Sequence, residues 1–422
     1  MTVDLTSTDG AILAGRAGEA AQIAMRVIVE LAEISGAHRL IDITSAHIDG
    51  CLYHGRAGLD WAERLVAAGG RVAVPATLNV SSLDLLHPEL FRGNPSTAAA
   101  ARKLMDCYTS MGCRPTWTCA PYQLPERPGF GEQIAWAESN AIVFANSVLG
   151  ARTERYGDFV DICAALTGRV PEVGLHTDAG RRAKVLFRLE SLPPELLSSD
   201  FFFPVLGHLV GGRSGKRVPV IAGLDHPVSE DRLKALGAAA ASAGAVGMFH
   251  VVGTTPEAPT LETALTDTGP EDIVVVTRVE VARARDSLST TATGKLTAVS
   301  LGTPHYSVTE FAALVPLLDG VTVHSDVEFY VSTGRDVLAE IEARGWAEHC
   351  RRAGVQIVTD TCTYITPILR NHPAVVMTNS AKWAYYAPGN LGVEVILGSL
   401  DECVRSAVAG EVWRDERLWQ SS

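Results

Sequence analysis

The chain has 422 residues, of which 47% are hydrophobic and 20% charged, and its formal net charge is −12. This length and composition predict a globular protein of two or three domains with a sizeable buried core. The acidic balance argues against nucleic acid and anionic membranes as partners. The sequence contains no run of about 18 uncharged apolar residues and starts without a basic and apolar leader, so we expect a cytoplasmic protein without membrane spans.

Helical and strand-like segments alternate through the first part of the chain. Apolar residues recur at helical spacing over 11–35, 58–70 and 97–113. Short apolar runs predict a strand at 39–46 that ends in small polar residues, a strand that runs into a polar loop at 71–79, and a third strand with its loop at 114–121. This alternation predicts an α/β fold with parallel sheets and crossover helices.

The same alternation continues further along the chain. The stretch 183–275 predicts a second α/β unit, and from about residue 276 strands again run into polar loops. We therefore expect three domains, at 1–182, 183–275 and 276–422, with the two halves of a site on the first and the third.

Polar side chains cluster directly after the predicted strands. Ser45, His47 and Asp49 follow the first strand, Asn79 follows the second and Cys119 follows the third. In an open α/β sheet, ligands bind in the crevice beyond the carboxyl ends of the strands. These loops are therefore predicted to converge on one site.

The stretch GGRSGKR (211–217) is only partly similar to a phosphate-binding loop. That pattern needs a glycine where this chain has Val210 and a serine or threonine where it has Arg217. A surface turn is the preferred interpretation. The sequence also contains no GxSxG and no HExxH, so the common hydrolase and zincin signatures are absent from it.

Eight cysteines are present, and no two of them have CxxC spacing, which excludes a zinc ribbon and a thioredoxin motif. Without an export signal, a disulfide framework is not expected. Cys51, Cys119 and Cys362 lie in polar loops, a setting that suits a metal-bound thiolate. Four others fall in helical patterns and are expected to fill the core: Cys107, Cys163, Cys350 and Cys403.

Glu138, Ser139 and Asn140 stand together in an apolar, helix-like segment. A carboxylate in such a segment must be paired or neutralised, because burying a bare charge is costly. Glu138 therefore either caps or pairs with a neighbouring loop, or contacts a substrate or a cluster ligand. His47 and His305 have the same two interpretations, a structural hydrogen bond or a catalytic role.

Six motifs together resemble the large subunit of aconitase X, the phosphomevalonate dehydratase large-subunit-like proteins. They are SAHIDGCLYHG (45–55), TCAPY (118–122), FGEQIAWAESNAIVFANSVLGARTER (130–155), GLHTD (174–178), LGTPHYS (301–307) and TNSAKWAYY (378–386). The resemblance covers nearly the whole chain. It implies an aconitase-like fold, with several α/β/α domains and mainly parallel sheets around a central cleft.

The resemblance also implies a hydro-lyase that binds an iron–sulfur cluster, of open nuclearity, through three cysteines. Bacterial members of one group dehydrate cis-3-hydroxy-L-proline to Δ1-pyrroline-2-carboxylate. Archaeal members dehydrate (R)-mevalonate 5-phosphate to trans-anhydromevalonate 5-phosphate. A small swivelling-domain subunit with a catalytic serine is implied as well, and we expect it as a separate chain that forms a heterodimer with this one.

In the motifs that resemble the family, Cys119 and Cys362 stand at the positions of cluster cysteines. The mevalonate type has Gly-Cys-Pro-His where this chain has Thr303 between Gly302 and Pro304. Threonine cannot supply a thiolate, and the loop that carries Cys51 lacks a cysteine in the mevalonate type. Our hypothesis is that Cys51 is the third ligand and that the substrate is of the hydroxyproline type.

The resemblance further indicates which side chains surround the substrate. We expect Lys382 to pair with the substrate carboxylate and His47 or Glu138 to serve as acid or base. The residues expected to act in catalysis are His47, Glu138, Ser139 and Lys382. The residues expected to contact the substrate are Ser45, Asn79, Asn140, His305 and Ser380.

Two alternatives stay open. A mevalonate 5-phosphate dehydratase would need a basic phosphate pocket, for which Arg152, Arg155 and Lys382 are the candidates. A cluster-free, non-catalytic scaffold subunit would explain why Thr303 stands where a cysteine ligand is expected. The presence of the other expected site residues argues against this alternative.

Overall fold

The structure, a computed structural model, describes residues 3–224, 228–370 and 374–419. The chain divides into unit 1, which is Met1–Leu83 with Asn94–Arg182, and unit 2, which is Asp84–Gly93 with Ala183–Ser422. The three domains expected from the sequence, with boundaries at 182 and 275, stay a prediction. Within the described ranges, no helix is both long and apolar enough to cross a membrane.

Unit 1 is built from short strands and six helices within its described residues. The helices are α1 (Ser7–Leu13), α2 (Glu19–Ser35), α3 (Arg56–Ala67), α4 (Pro95–Ser110), α5 (Ser139–Phe144) and α6 (Val160–Thr167). The strands are β1 (Leu40–Asp42), β2 (Ala46–Ile48), β3 (Ala76–Leu78), β4 (Ala135–Trp136) and β5 (Arg169–Pro171).

The central sheet of unit 1 has the order β3-β2-β4 with parallel pairs, and β1 pairs with β5 in the antiparallel sense. The strand predicted at 114–121 is wrong, because that segment forms only an isolated bridge from Arg114 to Thr77, and β4 is the third strand instead. The helix predicted over 11–35 is two helices, since Gly15 and Gly18 take φ values of 81° and 98° that interrupt it.

Unit 2 is larger. Its helices are α7 (Pro194–Leu197), α8 (Phe202–Ser214), α9 (Glu230–Gly244), α10 (Leu261–Ala264), α11 (Arg278–Ser287), α12 (Val308–Leu314), α13 (Arg335–Ala343), α14 (Trp346–Ala353), α15 (Ala381–Leu391) and α16 (Leu400–Ala409). Its strands are β6 (Val185–Arg188), β7 (Pro219–Ala222), β8 (His250–Val251), β9 (Asp272–Val275), β10 (Ala298–Tyr306), β11 (Glu328–Thr333), β12 (Val355–Val358), β13 (Val375–Thr378) and β14 (Glu394–Leu397).

Two parallel sheets organise unit 2, in the orders β8-β7-β6-β9 and β12-β11-β10-β13-β14. β10 is central in the second sheet and buried along its whole length, as expected for a parallel strand covered on both faces. It carries Thr303 and His305. The prediction of an α/β fold with mainly parallel sheets is confirmed.

Glycines let α8 and α9 approach closely. A Cβ at Gly207 would lie 2.2 Å from the carbonyl oxygen of Leu236, and one at Gly211 would lie 2.5 Å from that of Ala240. The stretch 211–217 begins in the last turn of α8 rather than after a strand, so it lacks the strand–loop–helix context of a phosphate loop.

The segment Asp84–Gly93 leaves unit 1 and joins unit 2. The Asp84 carboxylate accepts hydrogen bonds from the backbone N–H and the hydroxyl of Thr359, at 2.9 and 3.1 Å. The Leu85 N–H donates to the carboxylate of Asp360 at 3.1 Å. This segment therefore fixes the loop after β12, which carries Cys362.

Candidate functional site

His47 lies in β2, at the centre of the unit 1 sheet, and is fully buried. Its Nδ1 is 2.8 Å from the hydroxyl oxygen of Thr77, and its ring lies 5.8 Å from that of Trp136. Burial lowers the pKa of His47 to about 3, against the opposing effect of a backbone hydrogen bond at Thr118. The imidazole is therefore neutral at pH 7.

Cys51 follows β2 and is 1% exposed. Its sulfur lies 3.4 Å from the carbonyl oxygen of Ile48 and 3.3 Å from that of Asn79. Burial raises the pKa of the Cys51 thiol well above its ordinary value, with a smaller contribution from Asp49, which is ionised at the high pH where this thiol would titrate. Cys51 is therefore a thiol here, and would have to lose its proton to ligate a metal.

Two carboxyl groups lie next to this loop: Asp49, which the sequence placed among the polar residues after the first strand, and Asp161, which it did not. The Asp161 carboxylate accepts hydrogen bonds from the backbone N–H groups of Asp49 and Gly50, at 2.8 and 3.0 Å. Burial raises the pKa of Asp161 to about 7. Burial, with help from Glu138 and Asp158, raises the pKa of Asp49 to about 8, so Asp49 carries a proton at neutral pH. An aspartate inside the apolar run around α6 was the available signal for Asp161.

Cys119 is 3% exposed and lies in the loop before β4. The side-chain amide of Asn140 donates to the carbonyl oxygen of Cys119 at 2.8 Å, and the Tyr122 hydroxyl donates to the Asn140 side-chain oxygen at 2.6 Å. The backbone N–H of Ala120 donates to the hydroxyl of Thr118 at 3.1 Å. Buried hydrogen bonds therefore hold the backbone on both sides of the Cys119 thiol.

Glu138 is the N-cap of α5, not a residue inside the helix as the sequence suggested. Its carboxylate accepts from the backbone N–H of Ala141 at 2.8 Å and from the side-chain amide of Asn140. The Ser139 hydroxyl donates to the same carboxylate at 3.3 Å. The capping interpretation is confirmed, because helix N-termini leave N–H groups that a carboxylate satisfies. Glu138, Ser139, Asn140 and Cys119 thus form one buried network.

In unit 2, His305 and Cys362 are neighbours. A ring nitrogen of His305 lies within 4.8 Å of the Cys362 sulfur, and both residues are at most 1% exposed. The His305 Nε2 is 3.1 Å from the carbonyl oxygen of Thr361, which can only accept, so Nε2 carries the proton. Burial lowers the pKa of His305 to about 4, and the ring is neutral at pH 7. A thiol and a neutral imidazole are borderline-to-soft metal donors.

Thr303 lies two residues before His305 and is 4% exposed. Among the described residues, its hydroxyl has no hydrogen-bond partner. Its backbone carbonyl accepts from the hydroxyl of Ser380, the N-cap of α15. A Cβ at the preceding residue, Gly302, would lie 2.1 Å from the carbonyl oxygen of Ser332, so this position of β10 requires glycine.

Lys382 lies in the first turn of α15 and is 3% exposed. A buried cation at a helix N-terminus is unfavourable, because the helix dipole is positive at that end. The neighbouring Trp383 donates from Nε1 to the hydroxyl of Thr363 at 2.9 Å, which ties α15 to the loop of Cys362. Lys382 therefore lies buried at the start of α15, close to the loop of Cys362.

Several predicted site residues are brought together within each unit. In unit 1, Asn79 bonds the carboxyl group of Asp49. Ser45 contacts the sheet through a backbone hydrogen bond, with its carbonyl oxygen 3.0 Å from the nitrogen of Ala135. The predicted ligands Cys51 and Cys119 belong to unit 1 and Cys362 belongs to unit 2. Their convergence on one cluster, and the catalytic and substrate-contact roles of all these residues, stay predictions.

The other cysteines and the arginine proposed for a phosphate pocket have structural surroundings of their own. The eight cysteines, all within the described ranges, form no disulfide, and the four expected in helices lie in α4, α6, α14 and α16. Arg152, a candidate for a phosphate pocket, forms an ion pair with Asp178 and donates to the carbonyl oxygen of His176 at 3.3 Å.

The chain matches three domain families that cover most of its length. The aconitase X first domain matches residues 2–179, the second domain 183–286 and the third domain 296–409. The solved structure of Thermococcus kodakaraensis aconitase X (holo-form) superposes with a TM-score of 0.86 and 33% identity, covering 96% of this chain and 100% of that chain. The predicted aconitase-like α/β fold is confirmed.

Curated relatives fall into two groups. The cis-3-hydroxy-L-proline dehydratase of Pseudomonas aeruginosa is 44% identical over 96% of this chain and 70% of its own length. That of Hypocrea jecorina is 43% identical over 97% of this chain and 69% of its own length. The phosphomevalonate dehydratase large subunit of Methanosarcina mazei is 35% identical, over 96% of this chain and 98% of its own length. The chain belongs to the aconitase X family.

Proposed function

We propose that this chain is the large, catalytic subunit of an iron–sulfur hydro-lyase that dehydrates cis-3-hydroxy-L-proline to Δ1-pyrroline-2-carboxylate. Its relatives of both groups carry the name of a dehydratase. The observation that carries the substrate choice is Thr303, a buried residue that cannot supply a thiolate where the mevalonate type has a cysteine. The higher identity to the hydroxyproline enzymes, 44% and 43% against 35%, supports the same choice.

The donor chemistry on each unit fits an iron–sulfur cluster. Such clusters are held by cysteine thiolates, with histidine replacing cysteine in some centres. Unit 2 offers Cys362 beside a neutral His305 ring, and unit 1 offers Cys119 on a hydrogen-bonded loop. We propose Cys119 and Cys362 as ligands and Cys51 as the third. A bound cluster with an iron free of cysteine would supply a Lewis acid for the substrate hydroxyl or carboxylate.

The chain's own residues would bind and orient the substrate. Lys382 would pair with the substrate carboxylate, and Ser45, Asn79, Asn140, His305 and Ser380 would contact the substrate. His47 is neutral but a weak base, because burial lowers its pKa to about 3. Glu138 stays the second acid–base candidate, and its carboxylate is held in place by two N–H groups and a hydroxyl.

A small subunit would complete the enzyme. The relatives named phosphomevalonate dehydratase large subunit imply such a partner for those proteins. We propose a separate small swivelling-domain subunit that supplies a catalytic serine, so that the large subunit alone is inactive in a cytoplasmic heterodimer.

The test is to purify the chain without oxygen, together with the small aconitase X subunit of the same organism. Iron, acid-labile sulfide and the visible absorption spectrum are measured, and cis-3-hydroxy-L-proline and (R)-mevalonate 5-phosphate are assayed side by side. We expect stoichiometric iron, a charge-transfer band and turnover of the hydroxyproline. Turnover of mevalonate 5-phosphate instead would overturn the substrate choice. An iron-free, colourless complex after reconstitution would support the cluster-free scaffold.

A further inference from the structure

Lys234 is a buried lysine in α9 to which the proposed reaction assigns no role. It is 3% exposed. Its ammonium group donates to the carboxylate of Glu310, lies 3.1 Å from a carboxylate oxygen of Asp231 and lies 3.3 Å from the backbone carbonyl oxygen of His305. An ammonium group has three N–H donors, so these three acceptors match its full capacity. The position of the ammonium group is therefore set from three directions.

The two carboxylates are themselves tied to the turn that follows β10. The Glu310 carboxylate accepts from the backbone N–H of Ser307 at 2.8 Å, and the Ser307 hydroxyl donates to the Asp231 carboxylate at 2.9 Å. Burial alone would lower the pKa of Lys234, but Glu310 and Asp231 raise it above its ordinary value, so the lysine stays charged. The result is a closed polar ring that joins α9 to the end of β10.

His305 is held at two points by these contacts. Its backbone oxygen accepts from Lys234, and its Nε2 donates to the carbonyl oxygen of Thr361 at 3.1 Å. The same ring lies beside the sulfur of Cys362. A shift of the His305 backbone would therefore change the distance between the ring and that sulfur.

A cavity of about 510 Å³ lies next to this turn, within unit 2. Lys234, Thr303, Glu310 and Ser380 are among the residues that line it. Protein interiors are otherwise packed with few voids larger than a water molecule. The turn therefore borders an open space on that side, and the hydrogen bond from Lys234 is one of the contacts that hold it.

We propose that Lys234 is a positioning residue that fixes the His305 backbone and thereby the spacing between the His305 ring and the Cys362 sulfur. This inference rests on the proposed function in one respect, because it assumes that His305 and Cys362 lie at the iron–sulfur cluster. The claim that Lys234 fixes the spacing between these two residues also applies to the cluster-free chain, and can be tested there.

The main variant replaces the three charged partners together, as Asp231→Asn, Lys234→Met and Glu310→Gln. Removing the lysine alone would leave two carboxylates without their buried cation and would destabilise the fold, whereas the triple variant leaves no unpaired charge. Lys295→Met is the matched control, because Lys295 is a lysine of unit 2 with a 69% exposed side chain in a surface ion pair with Asp326.

The first readout is alkylation of Cys362 by iodoacetamide in the cluster-free full-length chain, followed by mass spectrometry. Cys350 and Cys403 are fully buried in helices of the same unit and report any global unfolding. We expect the triple variant to raise the alkylation rate of Cys362 about tenfold relative to Cys403, through local opening of the turn. An unchanged ratio of the two rates would overturn the proposal.

The second readout uses the loaded complex with its small subunit. Residues that orient metal ligands typically contribute about 10–100-fold to metal affinity or activity, so we expect kcat to fall about tenfold with a smaller change in KM. We also expect the visible band of the loaded cluster to shift, while Lys295→Met leaves both unchanged. If the wild-type complex fails to turn over hydroxyproline but the alkylation result holds, the proposed function is wrong and the positioning role stands. A wild-type-like band and kcat in the triple variant would contradict the role at the cluster.

Discussion

The side-chain amide of Asn140 donates a hydrogen bond to the backbone carbonyl of Cys119 over 2.8 Å. The same amide bonds the carboxylate of Glu138, and the Asn140 oxygen accepts from Tyr122. One asparagine therefore connects the helix cap at Glu138 with the loop of a proposed cluster ligand. This explains why polar residues sit in so apolar a segment.

Asn140→Leu, which keeps the volume of the side chain, is expected to lower both stability and iron content. It removes the hydrogen bonds that Asn140 makes with the Cys119 carbonyl and the Tyr122 hydroxyl, and losing a buried bond of this kind costs about 1–3 kcal/mol. Chemical denaturation and iron analysis measure the two effects. Tyr122→Phe is the control, because it removes only the hydroxyl and should retain iron. Full iron loading of Asn140→Leu would show that this bond does not position the ligand.

Cys51→Ser is expected to abolish cluster binding while the fold is retained. The serine hydroxyl can still donate to the carbonyl oxygens that surround the Cys51 sulfur, at Ile48 and Asn79. Iron and sulfide per chain are measured after anaerobic reconstitution, with Cys107→Ser in α4 as the control that keeps its cluster. A fully loaded Cys51→Ser protein would end the hypothesis that Cys51 is the third ligand.

Thr303→Cys is a second test of the hypothesis that Cys51 replaces the missing cysteine ligand. The Thr303 hydroxyl has no hydrogen-bond partner among the described residues, so the exchange loses no bond and should cost little stability. We expect Thr303→Cys to restore iron binding in the Cys51→Ser background, because it returns the thiolate that the mevalonate-type pattern has at this position. A double variant as iron-free as Cys51→Ser would mean that the two cysteine positions are not interchangeable.

Asp161 is expected to make stability depend on pH. Burial raises its pKa to about 7 in the folded chain from an ordinary value of 3.8, so the folded state binds the proton more tightly than the unfolded state. Its contribution is fully present below about pH 4 and is lost as the pH rises through about 7, at roughly 1.4 kcal/mol per unit of pKa shift. Asp161→Asn should therefore flatten the fall of the unfolding midpoint between pH 4 and pH 7.

The matched control for that measurement is Asp106→Asn, an exposed aspartate on α4 of the same unit. It should leave the pH profile of the unfolding midpoint unchanged. An Asp161→Asn profile parallel to that of the wild type would show that this carboxyl group titrates normally.

Gly302→Ala is expected to destabilise unit 2 strongly. Gly302 has a φ of 86°, which costs an alanine roughly 1–2 kcal/mol, and the added Cβ would also lie 2.1 Å from the Ser332 carbonyl oxygen. Gly320→Ala separates the two effects, because Gly320 has a φ of 69° but no atom within 4 Å of the added Cβ. Equal losses of unfolding free energy in the two variants would argue against the clash.

The sequence by itself determined the family, the α/β class and the helical segments of unit 1 at 11–35, 58–70 and 97–113. Local sequence patterns predict these features, because the spacing of apolar residues and the glycines at helix ends depend only on nearby residues. The long motif over 130–155 carried the resemblance, and the polar residues after the strands were found by position alone. The loops of Cys119 and Cys362 were marked in the same way.

Only the tertiary structure decided which segments meet. It placed β4 rather than 114–121 as the third strand of the unit 1 sheet, and it assigned Asp84–Gly93 to unit 2. It also brought Asp161 to the loop of Cys51 and Lys234 to His305. Strand pairing and buried charge contacts join residues far apart in the chain, and their choice depends on packing of the whole unit. No local pattern around Lys234 could have revealed its partner, because His305 lies 71 residues away.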